Sequence, residues 1–390
     1  MTDRRGPEEC MSEKPFLFDR SGRRYPLAEP RWRGDDGSPL MMSELPGIRP
    51  EQIDRTERSH WRYRAALPQR FQREISLGEG ATPLLTVGTS LGDLRVKAEW
   101  FNPTGSFKDR GMSILISTLA AHGIEEFLED SSGNGGSSAA AYAAAAGMRA
   151  NILVPRGTSA AKQQQSLLFG ATVEEFDGTR TETAAEAERR AADIFYASHN
   201  WHPAFLQGVK LMSYEIWEDL GFVAPDNVVV PAGAGSNVLG LSLGFGELLR
   251  AGCIERMPRI FAAQPANCAP LVDAFDQGAL GVDIARQDRW SPTIAEGASI
   301  GAPVRDREVL AAIRTCGGGM NAVAEDAIVD ALRMLLTRGL YTEPTGALGF
   351  AAALHHLGTG LIDQGETTVV VLTGSGLKAS QAMSQLLGAR

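Results

Sequence analysis

Short apolar runs with strand character alternate along this chain with helix-length segments, and several of those runs lead directly into glycine-rich turns. The strand-like runs are LRVKAEW (94–100), FLED (127–130), ANILVP (150–155), ATVEEF (171–176), NVVVPAG (227–233), RIFAAQ (259–264) and TTVVVLTG (367–374). Between them, SFKDRGMSILISTLAAHG (106–123) reads as a helix stopped by Gly123, and GGSSAAAYAAAAG (135–147) as an alanine-rich helix ended by Gly147. Further helices are expected at 159–169, 180–196 and 205–220; in the last, Leu206, Val209, Met212, Ile216 and Trp217 fall on one face. Strands alternating with helices imply an α/β fold with a mostly parallel sheet covered by helices on both faces. Ligands of such sheets bind at the carboxyl ends of the strands, so the loops that follow strands carry the functional information.

The chain of 390 residues suits two lobes or one large domain. Its 43 glycines exceed the roughly 7% of average usage and occur in short clusters rather than in a repeat. A net charge of −9 argues against nucleic acid or an anionic membrane surface as partner. No apolar run approaches the roughly 18 residues of a membrane span. The N-terminus MTDRRGPEEC lacks a signal-peptide core, and a cytoplasmic protein is expected. Cys10, Cys253, Cys268 and Cys316 are far apart, which disfavours a zinc site or a disulfide framework.

Four loops follow strands and are unusual. PAGAGSN (231–237) can turn its backbone N–H groups toward one point at a helix N-terminus, which makes a phosphate cradle or merely a tight packing turn. It matches neither the GxxxxGK[ST] nucleotide loop nor the GxGxxG dinucleotide fingerprint. SSGNGGSS (131–138) is a polar nest suited to a carboxylate, although Asn134 can equally be a helix N-cap. TGSGLK (373–378) ends a buried strand in hydroxyls that can meet a heteroaromatic nitrogen or cap the next helix.

The remaining loop, FNPTGSFKDRG (101–111), sets Lys108 at the mouth of a helix beside Phe107. A cation there opposes the helix dipole, so the lysine has a physical reason to lose its proton. A neutral, partly buried lysine is a nucleophile that forms Schiff bases. A lysine, a phosphate cradle, a carboxylate nest and a hydroxyl aimed at a ring nitrogen together match the needs of pyridoxal phosphate.

In this order, GEGATPL (78–84), NPTGSFKDRGM (102–112), SSGNGG (131–136), PAGAGSN and TGSGLK resemble the tryptophan-synthase-β-like, fold type II pyridoxal-phosphate enzymes, and within them the threonine synthases. The resemblance spans roughly residues 77–380. It implies a two-lobe fold: an N-terminal extension at 1–75, a large cofactor-binding lobe from 76–124 and 221–390, and a smaller mobile lobe at 125–220. It implies that Lys108 holds the cofactor and is the catalytic base, with Phe107 beside it. It places Asn134 at the ring oxygen, Gly233, Ala234, Gly235, Ser236 and Asn237 around the phosphate, and Thr373 at the pyridine nitrogen. Ser131, Ser132 and Gly133 would face the substrate carboxylate. A homodimer is implied as well.

The chain departs from the family pattern twice. FLFDRSGRRYPLAEPRWRGDDGSPL (16–40) looks like a zinc-ribbon hairpin, but its knuckle positions hold Phe18, Ser21, Arg33 and Asp36. A metal-free remnant packed by Tyr25 and Trp32 is expected. Threonine synthases often carry an arginine for the substrate phosphate just before a LEG-type turn; that position is Phe205 here, which weakens the implication of O-phosphohomoserine. His199, Asn200 and His202 are candidates for the substrate anion or ordinary loop residues. The expected activity is a lyase performing elimination and replacement on an amino-acid side chain. Two alternatives stand beside it: a β-eliminating or β-replacing enzyme on serine, threonine or phosphoserine, of ammonia-lyase or cysteate- or cysteine-synthase kind, and a catalytically idle relative that binds a ligand or partner.

Overall fold

The computed structural model describes residues 14–388, so Cys10 and the first 13 residues lie outside it. Three sheets organise the chain. The first is a small antiparallel one, β1 (Phe16–Phe18), β2 (Arg24–Pro26) and β3 (Met41–Met42), in the order β2-β1-β3. The main sheet has six strands: β4 (Leu84–Thr89), β5 (Gly92–Ala98), β10 (Asn227–Pro231), β11 (Arg259–Pro265), β12 (Gly319–Val323) and β13 (Thr368–Leu372), ordered β12-β11-β10-β13-β5-β4. All its pairs are parallel except β4 with β5. The third sheet is wholly parallel, β8-β7-β6-β9, from β6 (Glu126–Glu129), β7 (Arg149–Pro155), β8 (Thr172–Phe176) and β9 (Phe195–Tyr196).

The central strands read as their composition requires. NVVVP of β10 and TVVVL of β13 are buried along their whole length, with Val228 paired to Val369 on one side and Ile260 on the other. β-branched side chains on both faces need helices above and below, and two apolar clusters supply them, one on each face of the main sheet.

Several expected elements differ. The helix expected over 180–196 ends at Arg190, and Phe195–Tyr196 instead becomes β9 beside β6. The helix expected over 205–220 is two helices, Pro203–Val209 and Leu211–Asp219, meeting at Lys210. Lys210 is fully buried at that junction, where its ammonium donates to Glu247 Oε1 and to the Ala66 carbonyl. The first of these helices packs against helix Lys108–Ala121 at unusually close range. A Cβ on Gly208 would land on the Arg110 carbonyl, and one on Gly111 would land in the Phe205 ring. β4, β12 and the helices Asp306–Thr315 and Glu325–Leu336 are not among the elements expected from the sequence, although apolar residues line one face of each of these two helices.

The expected remnant hairpin is the three-stranded sheet. Its centre is Asp19, a buried carboxylate that accepts from the Ser21 and Arg23 backbone N–H groups, the Ser21 hydroxyl and the Tyr25 hydroxyl. Tyr25 packs inside this unit with Leu17, Leu40 and Met42, whereas Trp32 leaves it and sits edge-on against Tyr196 and Trp201. Among the described residues no helix is long and apolar enough to cross a membrane, and no cluster of three or more His, Cys, Asp or Glu side chains could hold a metal ion.

Candidate active site

Lys108 is the first residue of helix Lys108–Ala121, with Phe107 in the N-cap position. The neighbouring residues of the same run are turned away from the cleft. Asp109 is buried and accepts from the Thr104 N–H and hydroxyl and from the Ser138 hydroxyl, each at 2.6 Å. Arg110 is fully buried and pairs with Glu99 and Glu215; Lys97 joins the same network through Glu215 and Asp219. That buried ionic layer also ties down the 78–84 segment, since Glu215 accepts from the Ala81 and Thr82 N–H groups. One side of the helix start is thus locked, and Lys108 takes no part in that network.

Its amine makes no hydrogen bond or ion pair among the described residues. It lies 4.7 Å from the centroid of the Phe107 ring and 5.5 Å from that of Phe205. Its pKa is lowered to about 8, and the first cause is burial; the charges of Glu129 and Glu343 oppose the shift without cancelling it. The direction expected from the helix end is found, but desolvation between two aromatic rings drives it.

Backbone pairing joins the Lys108 loop to the loop after β13. The Phe107 N–H donates to the Thr373 carbonyl at 3.0 Å, and the Ser375 N–H to the Gly105 carbonyl at 2.9 Å. A third segment joins them where the Glu343 N–H reaches the Gly374 carbonyl and the Thr342 hydroxyl the same oxygen. Lys108, Thr373 and Glu343 are therefore held in fixed relation by main chain, which is stiffer than side-chain contact alone.

Asn134 is the first residue of helix Asn134–Ala146 and not its N-cap, which is Gly133. Its side chain is consequently free to reach across and donate to Glu343 Oε2 at 3.0 Å. Thr373 donates to the other oxygen of the same carboxylate at 3.0 Å. Two residues expected near the cofactor ring thus meet at a third that the sequence reading passed over. Burial raises the pKa of Glu343. Its signal was present in Glu343-Pro344-Thr345-Gly346, an acid before a proline at a helix start. Lys378 lies nearby, donating to the Thr104 carbonyl and the Ser137 hydroxyl.

Gly235 caps helix Ser236–Arg250 in the left-handed region at φ +87. A Cβ there would enter Val309, and one on Gly233 would meet the Gly297 carbonyl oxygen, so both positions require glycine. Ala234 lies on the same turn; Ser236 and Asn237 are buried, and Asn237 Oδ1 has no hydrogen-bond partner among the described residues. A glycine cradle at a helix N-terminus presents backbone N–H donors and fits an anionic group such as the cofactor phosphate.

Ser131, Ser132 and Gly133 form the loop between β6 and helix Asn134–Ala146. His199 lies against this loop, for a Cβ on Gly135 would strike both the His199 ring and the Ser131 hydroxyl. Asn200 does not join them. Its carbonyl accepts from Arg305, and its side-chain oxygen is buried without a partner among the described residues, on the side of the N-terminal sheet. His202 caps helix Pro203–Val209 through Nδ1 and is likewise turned from Lys108. Glu129, the last residue of β6, was read only as a strand end; it is buried beside His199, and burial raises its pKa to about 7. An acid at the buried end of a strand that runs into a functional loop was the signal.

The family model for pyridoxal-phosphate dependent enzymes matches residues 75–374. The chain is 33% identical over 341 residues to the threonine synthase of Methanocaldococcus jannaschii, covering 85% of this chain and 84% of that protein. To the threonine synthase of Mycobacterium bovis it is 34% identical over 313 residues, covering 78% and 83%. Among solved structures it is similar to a maize serine racemase, with TM-score 0.62 and 23% identity over 79% of this chain and 92% of that one. The processed form of threonine deaminase isoform 2 from Solanum lycopersicum gives TM-score 0.66 at 20% identity, covering 79% and 88%. Both are likenesses of fold. The chain belongs to the pyridoxal-phosphate dependent enzyme family, as a lyase of threonine-synthase type with the fold type II architecture.

Proposed function

We propose that the cleft around Lys108 carries out elimination and replacement at the side chain of a small amino acid. The observation that carries this reading is Lys108 itself: an amine without a hydrogen-bond partner among the described residues, with a pKa of about 8, fixed by main chain beside Thr373 and facing Glu129 and Glu343. Bound pyridoxal phosphate supplies the electron sink that makes the substrate Cα–H acidic. Lys108 Nζ holds the cofactor and, once free, takes the Cα proton. Gly233, Ala234, Gly235, Ser236 and Asn237 bind its phosphate through the helix N-terminus, Phe107 flanks Lys108, and Asn134 and Thr373 orient the ring. Ser131, Ser132 and Gly133 bind the substrate carboxylate. The two lobes, divided near residues 125 and 220, close to exclude water.

Phe205 favours the second reading, a β-eliminating or β-replacing enzyme on an unphosphorylated amino acid. It is fully buried, with its ring toward Lys108, and it brings no charge to meet a phosphate dianion. The experiment is to titrate the holoenzyme with O-phospho-L-homoserine, O-phospho-L-serine, L-serine and L-threonine while following cofactor absorbance and product by NMR. Turnover of at least one supports the reading; a holoenzyme that turns over none of the four sinks it. The proposal includes a homodimer in the cytoplasm, as the family resemblance implies, and light scattering of the purified protein tests the dimer.

A further inference from the structure

Parallel pairing of β6 with β9 delivers Glu129 and His199 to the same sheet edge, beside Lys108. His199 Nδ1 stands 3.1 and 3.2 Å from the two Glu129 oxygens, and the His199 backbone N–H donates to Oε2 at 3.1 Å. Both side chains are buried, Glu129 completely. The imidazole lies against Gly135 at one edge and 5.4 Å, centroid to centroid, from the Phe205 ring whose centroid is also 5.5 Å from Lys108 Nζ. Nε2, the far nitrogen, has no hydrogen-bond partner among the described residues. A carboxylate that fixes one ring nitrogen and leaves the other free is the arrangement of an oriented acid–base histidine.

We infer that His199 is a second proton carrier of the reaction, acting at the side-chain end of the substrate, with Glu129 as the positioning residue that holds its ring. The inference rests on the functional reading above. When a β-substituent is eliminated and replaced at the same carbon, protons move at two places, Cα and the side-chain atom that leaves or arrives. Lys108 serves the first and His199 the second. As the carbon–oxygen bond breaks with its electron pair, the leaving oxygen takes one proton from His199 Nε2. As water adds and the new carbon–oxygen bond forms, the water returns one proton to the same nitrogen. The pair ends with the proton it began with, and no oxidant or reductant is needed.

The groups that face this pair are Lys108, Asp130 and Arg180. Asp130 is held by the Tyr196 and Ser198 hydroxyls. Burial keeps His199 well below its ordinary range and lifts Glu129 to about 7, so near neutrality the shared proton is stored on the carboxyl side.

The test uses holoenzyme of His199→Asn and Glu129→Gln with whichever of the four amino acids the wild type turns over. Two rates are read: exchange of the substrate Cα–H in deuterium oxide, and product formation. In His199→Asn, exchange is expected within about threefold of wild type while product formation falls roughly 10²-fold or more. In Glu129→Gln the limb near pH 7 in the kcat profile is expected to vanish. Equal losses in both rates, or product formation within about threefold of wild type, overturn the assignment. A wild type that shows neither exchange nor product overturns the functional reading and the assignment with it.

Discussion

Asn134, which opens the helix after β6, and Thr373, which follows β13, donate to the two oxygens of one half-buried carboxylate, Glu343. Replacing it by alanine leaves two buried donors without an acceptor. Glu343→Ala is expected to loosen the cofactor roughly tenfold or more, read as loss of the absorbance band on dialysis. Glu343→Gln retains one acceptor and turns an amide NH₂ toward a donor, so it should fall between. Cofactor retention equal to wild type in Glu343→Ala would falsify a ring-orienting role for this triad.

Lys108 gives a pH prediction with a definite sign. Its folded pKa lies below that of a free lysine, at about 8, so the amine is charged below pH 8 and neutral above it. The rate at which apoprotein captures pyridoxal phosphate should therefore rise about tenfold per pH unit up to about pH 8 and level off beyond. Stopped-flow absorbance between about pH 6 and pH 10 checks this. Lys108→Ala should lose the band and roughly 10³-fold or more of turnover, with an unchanged melting temperature. A retained band would show that another amine holds the cofactor.

Gly208 lies against the Arg110 carbonyl with no room for a methyl group. Gly208→Ala has to push two helix backbones apart, which should cost more than about 2 kcal/mol, at the upper end of ordinary overpacking. Urea unfolding measures it, and a cost under about 0.5 kcal/mol, the range of an ordinary surface substitution, would mean the helices can separate freely.

Arg110→Met removes the cation between Glu99 and Glu215, both fully or nearly fully buried. Glu215 keeps Lys97, but Glu99 is left buried without a cation, which should destabilise the protein by about 3–5 kcal/mol. Adding Glu99→Gln should recover part of that loss, and a double variant no better than the single one would show that the stranded carboxylate was not the cause.

The alternation of strand and helix and the order of the last two loops were legible in the sequence because those loops follow strands whose β-branched runs are buried on both faces, Val228–Val230 and Val369–Val371. Lys108 was legible for a local reason, its place between an aromatic residue and a helix start. Glu129 and Glu343 were not, because what matters about them is a partner 70 and 209 residues away. Their own neighbourhoods look like a strand end and a helix start. The break at Lys210 was invisible for a related reason: apolar spacing continues through it, while the partner that draws the lysine inward, Glu247, lies on another helix. β9 was hidden inside a helical pattern because two residues are too few to show a period.

The N-terminal sheet has a core of only Leu17, Tyr25, Leu40 and Met42. Its outer ties run to Asp306 and Glu308 through Arg20, to Tyr196 and Trp201 through Trp32, and from Arg305 back to the Leu40 carbonyl. Four apolar side chains cannot by themselves offset the chain entropy of some thirty residues. The segment is therefore expected to order only on its docking surfaces and to be the first part of the molecule to open. In native-state hydrogen exchange its amides should form one low-stability cooperative unit, detaching while β10 and β13 stay protected. With Asp19 at its centre, the segment borrows its order from the body it covers.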